Sequence, residues 1–123
     1  MQILIACQDK DKLKCFKQKI EGDGYEVIGV SSKETLGNLL NAGYRIDAII
    51  SEYWLGNFYG HDITAKVGFC TPTLIWGAKR QLLNAVLGAV SFPKTTFIRG
   101  VVDIKNISHY VAELVAVVTS ENV

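Results

Sequence analysis

Short apolar runs alternate along this chain with longer segments in which apolar residues recur every three or four positions. Apolar runs without polar alternation are typical of parallel strands covered on both faces, and amphipathic segments are typical of the covering helices. The pattern therefore predicts strands and helices in alternation. The predicted strands are 2–7, 25–30, 46–51, 71–75 and 90–92.

Helix signals fill the intervals between these strands. Phe16 and Ile20 recur at helical spacing in the first interval, behind a predicted N-cap at Asp9. In the second interval, Ser31 followed by Glu34 matches a capping box. The remaining helices are predicted over 62–67, over 79–87 and after Asp103 or Asn106.

This order predicts one α/β domain of 123 residues. Strands that alternate with helices require right-handed crossovers, and these place the helices on both faces of a parallel sheet. The segment 95–102 fits either an extended loop or an extra strand, and the sequence leaves both interpretations open.

Composition excludes several classes of function. The net charge is +1 and Lys and Arg do not cluster, so we expect no direct binding of nucleic acid. The start of the chain lacks the pattern of a signal peptide, and no window has the roughly 18 consecutive apolar residues of a membrane span. Cys7, Cys15 and Cys70 are odd in number and form no CxxC motif, which predicts reduced, buried thiols in a cytoplasmic protein. His61 and His109 are expected at the surface.

The segment Ile46–Gly56 carries the main candidate for chemistry. Its apolar run predicts a buried strand, and Glu52 stands at the carboxyl end of that strand. Ligands of open parallel sheets bind beyond the carboxyl ends of the strands. Glu52 is therefore placed where a functional acid would lie.

Four aromatic residues lie in the loop that follows Glu52, namely Tyr53, Trp54, Phe58 and Tyr59. Exposed aromatic clusters mark partner or ligand surfaces. Alternatively, Trp54 and Phe58 complete the core beneath the short third helix. Trp76, at the end of the fourth strand, is expected at the same rim and would fill the space of a phosphate site.

Four stretches, ILIACQD, DAIISEYWLG, TPTLIWGA and LGAVSFPK, resemble in their order and spacing the CheY-like receiver domain of bacterial response regulators. The resemblance covers almost the whole chain except 95–103. It implies a flavodoxin-like (βα)5 sandwich with a five-stranded parallel sheet in the order 2-1-3-4-5.

The resemblance also implies a phosphorylation pocket. In the family, an acid pair and an acceptor aspartate hold Mg²⁺, and a hydroxyl and a lysine contact the phosphoryl group. The corresponding positions hold Cys7 and Gln8 for the acid pair, with Asp9 one place beyond, Glu52 for the acceptor, Gly77 for the hydroxyl and Lys94 for the lysine.

These residues supply little of the chemistry that the family uses. Mg²⁺ prefers hard oxygen ligands, whereas Cys7 offers sulfur and Gln8 a neutral amide. Glu52 is one methylene longer than aspartate, and Gly77 has no hydroxyl. We therefore expect a degenerate pseudo-receiver without metal, cofactor or enzymatic activity. Glu52 either mimics a phosphorylated state through an ion pair with Lys94 or is a solvated carboxylate.

The predicted function is a non-enzymatic interaction domain in bacterial signalling. The resemblance implies a protein partner or homodimer through the face of the fourth helix, fifth strand and fifth helix, where Phe92 matches the family's aromatic switch position. Such receivers also form the N-terminal domain of larger regulators and ATPases, so residues 1–123 are expected to be one such domain.

Two alternatives stay open. The first is a phospho-acceptor with an altered pocket that uses Asp9 and Glu52. The second is a flavodoxin-like binder of small molecules that stacks a ring on the aromatic loop. The second lacks support at the first strand, because CQDKDK follows it instead of a phosphate-binding run of Gly, Ser and Thr.

Overall fold

The computed structural model describes residues 1–77, 93–98 and 100–121. The predicted helix over 79–87, the predicted strand over 90–92 and the switch candidate Phe92 lie outside these residues. In chain order, the elements are β1 (Gln2–Ala6), α1 (Lys10–Gly22), β2 (Glu26–Val30), α2 (Lys33–Asn41), β3 (Ala48–Glu52), α3 (Gly60–Val67), β4 (Thr73–Trp76), β5 (Thr95–Ile98) and α4 (Ile107–Glu121).

All four strand pairings are parallel, and the sheet has the order β2-β1-β3-β4-β5. The predicted flavodoxin-like α/β sandwich is therefore confirmed. The central strands β1 and β3 are buried almost throughout, as their apolar sequences require. The half-exposed β2, with Glu26 at its start, lies at one edge of the sheet.

The fifth described strand lies in the segment that the sequence left open. Thr95–Ile98 pairs with β4, so the strand interpretation of this segment holds. The Thr73 backbone N–H also donates to the Lys94 carbonyl oxygen at 3.0 Å, which extends the pairing toward the amino end. The segment TTFI consists of β-branched and aromatic residues, which fit a pleated surface.

The core has one layer on each face of the sheet, because successive side chains of a strand point to opposite faces. Ile3, Ile5 and Cys7 face α1 and α4, where Phe16 and Ile107 pack on them. Leu4 and Ala6 face the other layer, which contains residues of α2 and α3.

Local capping sets where three helices begin. Asp9 caps α1 as predicted, because its Oδ1 accepts from the backbone N–H groups of Asp11 at 2.9 Å and Lys12 at 3.1 Å. The predicted cap at Ser31 is wrong. Ser32 caps α2 instead, and its Oγ accepts from the Thr35 N–H at 3.2 Å.

At α4, the two predicted candidates act together. The Asp103 carboxylate accepts from the Asn106 N–H at 3.1 Å, and the Asn106 side-chain oxygen accepts from the Asp103 N–H at 2.8 Å. Within the described residues, no helix has the length and apolar character needed to cross a membrane.

Candidate functional site

The carboxyl ends of β1, β3 and β4 meet at one edge of the sheet, and they bring most of the predicted pocket together. Register places Glu52 beside Trp76, and Ala6 beside Ser51, so Cys7 follows alongside Glu52. An open depression of about 520 Å³ at this edge is lined by Gln8, Asp9, Lys12 and Glu52.

The Glu52 carboxylate is already held by the protein. Its Oε1 accepts a hydrogen bond of 2.7 Å from the backbone N–H of Gln8. Burial of the Cys7 thiol, together with a hydrogen bond to Glu52 and the negative charge of that carboxylate, raises the pKa of Cys7 to about 12. At neutral pH, Cys7 is therefore a protonated thiol that shares this carboxylate with a backbone amide.

Two other positions of the predicted pocket also have structural roles. The Oδ1 of Asp9 is engaged in capping α1. Gly77 has a φ of +84°, a left-handed conformation that glycine adopts readily and a β-branched residue does not. The backbone at this position therefore disfavours the threonine that would supply a hydroxyl.

The predicted grouping of Lys94 with this pocket is wrong. Lys94 precedes β5, and its carbonyl pairs with Thr73 at the amino end of β4. Glu52 lies in register with Trp76 and Ile98, and Ile98 is four extended residues, about 13 Å, further along. The Glu52–Lys94 ion pair therefore does not form. The residue after β5 in the sequence is Arg99, which lies outside the described residues.

The Mg²⁺ that receiver domains bind does not fit this set of donors. Mg²⁺ requires near-octahedral oxygen ligands. Here Cys7 presents a protonated thiol, and one oxygen each of Asp9 and Glu52 accepts backbone N–H groups. In the described part of the chain, no group of three or more His, Cys, Asp or Glu residues is placed to hold a metal ion.

The aromatic loop after β3 divides between the core and the surface. Tyr53 and Phe58 are buried, and Phe58 packs with residues of the α2 and α3 layer. Trp54 and Tyr59 are exposed by 46% and 38%. The core interpretation therefore holds for Phe58 and is wrong for Trp54, and a partner or ligand role of the exposed rings stays a prediction.

The two exposed rings belong to a continuous cluster with the buried Tyr53 and the half-buried His61. The ring centroids of Trp54 and Tyr59 are 4.9 Å apart, and those of Tyr53 and Tyr59 are 5.1 Å apart. His61 stacks on Tyr59 with centroids 5.2 Å apart. Burial lowers the pKa of His61, so its neutral form is favoured. His61 is half-buried and not fully at the surface as predicted, and its place two residues after Tyr59 is the sequence signal for this stacking.

Several expectations about isolated side chains also change. Trp76 is buried, and its ring packs edge-on against Phe16 at 6.0 Å, so it belongs to the α1 and α4 layer and not to the exposed rim. Cys7 is buried as expected, but Cys15 and Cys70 are exposed. His109 lies on α4 with its Nε2 3.0 Å from Glu113.

No protein-family model and no curated protein matches the chain. Solved structures match it over nearly its whole length. A CheY-like response regulator receiver domain protein from Methanospirillum hungatei has a TM-score of 0.75 and 19% identity, with 98% of this chain and 97% of that chain covered. A response regulator receiver domain protein from Clostridium thermocellum has a TM-score of 0.71 and 23% identity, with 94% of each chain covered.

The inactive form of the regulatory domain from the repressor of iron transport regulator, RitR, is similar in the same way. Its TM-score is 0.72 at 17% identity, and the match covers 94% of each chain. With the strand order and the flanking helices described above, these similarities show that the chain has the fold of response-regulator receiver domains.

Proposed function

We propose that this chain is a non-enzymatic, pseudo-receiver interaction domain of a bacterial, cytoplasmic regulatory system, and that phosphorylation of an acidic residue does not switch it. The observation that carries the proposal is the state of Glu52. Its carboxylate accepts the Gln8 backbone N–H at 2.7 Å and lies beside a protonated Cys7 thiol. The residue at the acceptor position is therefore already used in a hydrogen bond that joins the segment after β1 to the end of β3.

The residues around Glu52 also lack groups that phosphoryl transfer requires, which supports the same proposal. Catalysis of this reaction depends mainly on positioning and on neutralisation of charge around the phosphoryl group. The pocket offers Lys12 as its described cation, whereas Lys94 belongs to the opposite edge of the sheet. Gly77 provides no hydroxyl to bind a phosphoryl oxygen.

The proposed partner is another protein, and Trp54 and Tyr59 are the proposed contact residues. Tryptophan and tyrosine are enriched among the residues that dominate binding energy at protein interfaces. Both rings are exposed and pack on each other. The other proposed contact face, which includes β5 and α4, lies in part outside the described residues, and a homodimer through it remains part of the proposal.

The test is a titration of the purified domain with Mg²⁺ and beryllofluoride, a phosphoryl mimic, followed by heteronuclear NMR. We expect the amide signals of Gln8, Glu52 and Gly77 to stay unchanged. A matched titration of a variant with the acid pocket restored, Cys7→Asp with Gln8→Asp and Glu52→Asp, reports whether the fold itself can accept the ligand. Saturable shifts in the unaltered protein would establish the phospho-acceptor alternative and overturn the proposal.

A further inference from the structure

The hydrogen bond of Glu52 has a counterpart at the other end of β3. Asp47, immediately before β3, accepts the backbone N–H of Gln2 through its Oδ2 at 2.8 Å. Glu52, the last residue of β3, accepts the backbone N–H of Gln8 at 2.7 Å. Each carboxylate thus ties one flank of β1 to one end of β3. The two hydrogen bonds join residues that are 45 and 44 positions apart in the chain. They are therefore of the same kind, and they differ in the residues that surround them.

Only the contact at Glu52 continues into the aromatic loop. A Cβ on Gly56 would lie 3.0 Å from Nε2 of Gln8, so the Gln8 side chain already lies against the backbone of the loop. Gly56 has a φ of +95°, the left-handed conformation that permits this tight turn. The Gln8 backbone is thus held by Glu52, and the Gln8 side chain contacts the loop that begins one residue after Glu52.

The loop is a small hairpin in which the turn at Gly56 is joined through backbone contacts to the residues that carry the exposed rings, Trp54 and Tyr59. The Leu55 N–H donates to the Phe58 carbonyl oxygen at 2.9 Å, and Trp54 and Tyr59 form an antiparallel bridge. Leu55 and Phe58 point into the core, and the rings of Trp54 and Tyr59 remain outside. A displacement of the turn at Gly56 therefore displaces the exposed rings.

We propose that Glu52 is a positioning residue that fixes the Trp54–Tyr59 surface by holding Gln8 against the turn at Gly56. In this arrangement, the Glu52 carboxylate accepts from two uncharged donors, the Gln8 N–H and the Cys7 thiol, and the exposed rings have one fixed position. The inference rests on the proposed function in one respect, namely that Trp54 and Tyr59 are the proposed contact residues.

The test uses fluorotryptophan incorporated at Trp54 and Trp76, with the two fluorine NMR signals assigned through Trp54→Phe. We expect Glu52→Ala to shift the Trp54 signal, and Glu52→Gln to leave it nearly in place because its side-chain oxygen still accepts the Gln8 N–H. Because Glu52→Gln and Glu52→Ala both remove the charge, the comparison separates position from electrostatic field. Asp47→Ala is the matched control, and it should leave the Trp54 signal unchanged.

A double-mutant cycle gives the decisive readout, because residues that act through one contact have non-additive effects. Gln8→Ala should shift the Trp54 signal in the same direction as Glu52→Ala, and the double variant should shift it no further than the larger single change. Additive shifts, an equal shift in Asp47→Ala, or no shift in Gln8→Ala would each overturn the inference. If Glu52→Ala does not fold, the exposed Gln8→Ala and Glu52→Gln decide. The beryllofluoride titration tests the proposed function separately from this cycle.

Discussion

At each end of β3, a carboxylate accepts a hydrogen bond from a backbone N–H in or just after β1, but the residues around the two carboxylates differ. At the amino end, Asp47 holds the backbone of Gln2 and is itself contacted by the Arg45 Nε at 2.9 Å. At the carboxyl end, Glu52 holds the backbone of Gln8 beside the neutral thiol of Cys7. Asp47 thus forms a direct ion pair with Arg45, whereas Glu52 accepts hydrogen bonds from two uncharged donors.

The two carboxylates therefore contribute to stability in different ways. The Gln2 backbone N–H, and after it the charge of Arg45, lower the pKa of Asp47, so the ionised form of Asp47 stabilises the fold. Around Glu52, by contrast, the neighbouring backbone is packed so tightly that glycine is required at position 60. The amino end therefore depends on charge, and the carboxyl end depends on close packing and an uncharged thiol.

The largest expected effect concerns the packing at the carboxyl end. A Cβ on Gly60 would lie 2.5 Å from the Glu52 carbonyl oxygen and 2.8 Å from Oγ of Ser51, so the backbone has to move in Gly60→Ala. We expect the free energy of unfolding to fall by about 3 kcal/mol, as for an overpacked core. Urea denaturation measures the change.

Gly37→Ala in α2 is the matched control for this substitution. A Cβ on Gly37 would meet no atom within 4 Å, and alanine is the better helix former by about 1 kcal/mol, so this variant should be more stable. Equal effects of the two substitutions would show that the packing around Glu52 is not the constraint that we describe.

The next largest expected effect on stability concerns Asp47, at the amino end of β3. Asp47→Ala removes a hydrogen bond between a carboxylate and a backbone N–H, and we expect a loss of about 2 kcal/mol in unfolding free energy at neutral pH. Because the pKa of Asp47 is lowered in the fold from 3.8, this contribution is present above that pH and disappears as the pH falls through the folded value.

The measurement is urea denaturation of the unaltered protein and of Asp47→Ala between neutral and strongly acidic pH. The difference between the two proteins should shrink in acid, because Asp47 is then protonated in both states. A difference that is independent of pH would show that Asp47 acts through packing and not through its charge.

The smallest expected effect at neutral pH concerns Cys7, whose contribution to stability changes only under alkaline conditions. Its pKa rises from 9.0 in the unfolded chain to about 12 in the fold, so the thiol stabilises the protein below pH 9. Between these values the unfolded state releases the proton first, and stability should fall by up to about 1.4 kcal/mol per pH unit. Denaturation curves measured across this range test the slope.

Cys7→Ala should reduce that alkaline slope and leave the part due to Tyr53, whose pKa is also raised by burial, whereas Cys15→Ala should leave the slope unchanged because Cys15 is exposed. If the slope is undiminished in Cys7→Ala, the protonated thiol is not part of the contact around Glu52. That result would also weaken the account of Glu52 as a carboxylate shared between two uncharged donors.

The failures of sequence analysis are as specific as its successes. No local pattern distinguishes a strand from a loop in the segment 95–102, and the pairing of Thr95–Ile98 with β4 depends on residues about 20 positions away in the chain. This pairing also sets the position of Lys94, which directly precedes the strand and therefore lies at the amino edge of the sheet and not at the pocket. The same limit applies to Asp47, whose hydrogen bond reaches Gln2, a residue that is 45 positions away in the chain.

The sequence by itself determined the features that depend on near neighbours. The apolar run at β3 and the amphipathic helices are periodic, and the N-cap at Asp9 involves residues only two and three positions away, so local chemistry suffices to predict them. The replacement of the acid pair by Cys7 and Gln8 is likewise visible in the sequence.

The tertiary structure decided which of these residues meet. It placed Glu52 on the backbone of Gln8, buried Trp76 against Phe16, and divided the aromatic loop so that Phe58 lies inside and Trp54 outside. These outcomes depend on strand pairing and on the space left between layers, which are set by contacts between residues distant in the chain. The physical reason is that periodicity fixes the face on which a side chain lies, whereas its neighbours are fixed only by packing.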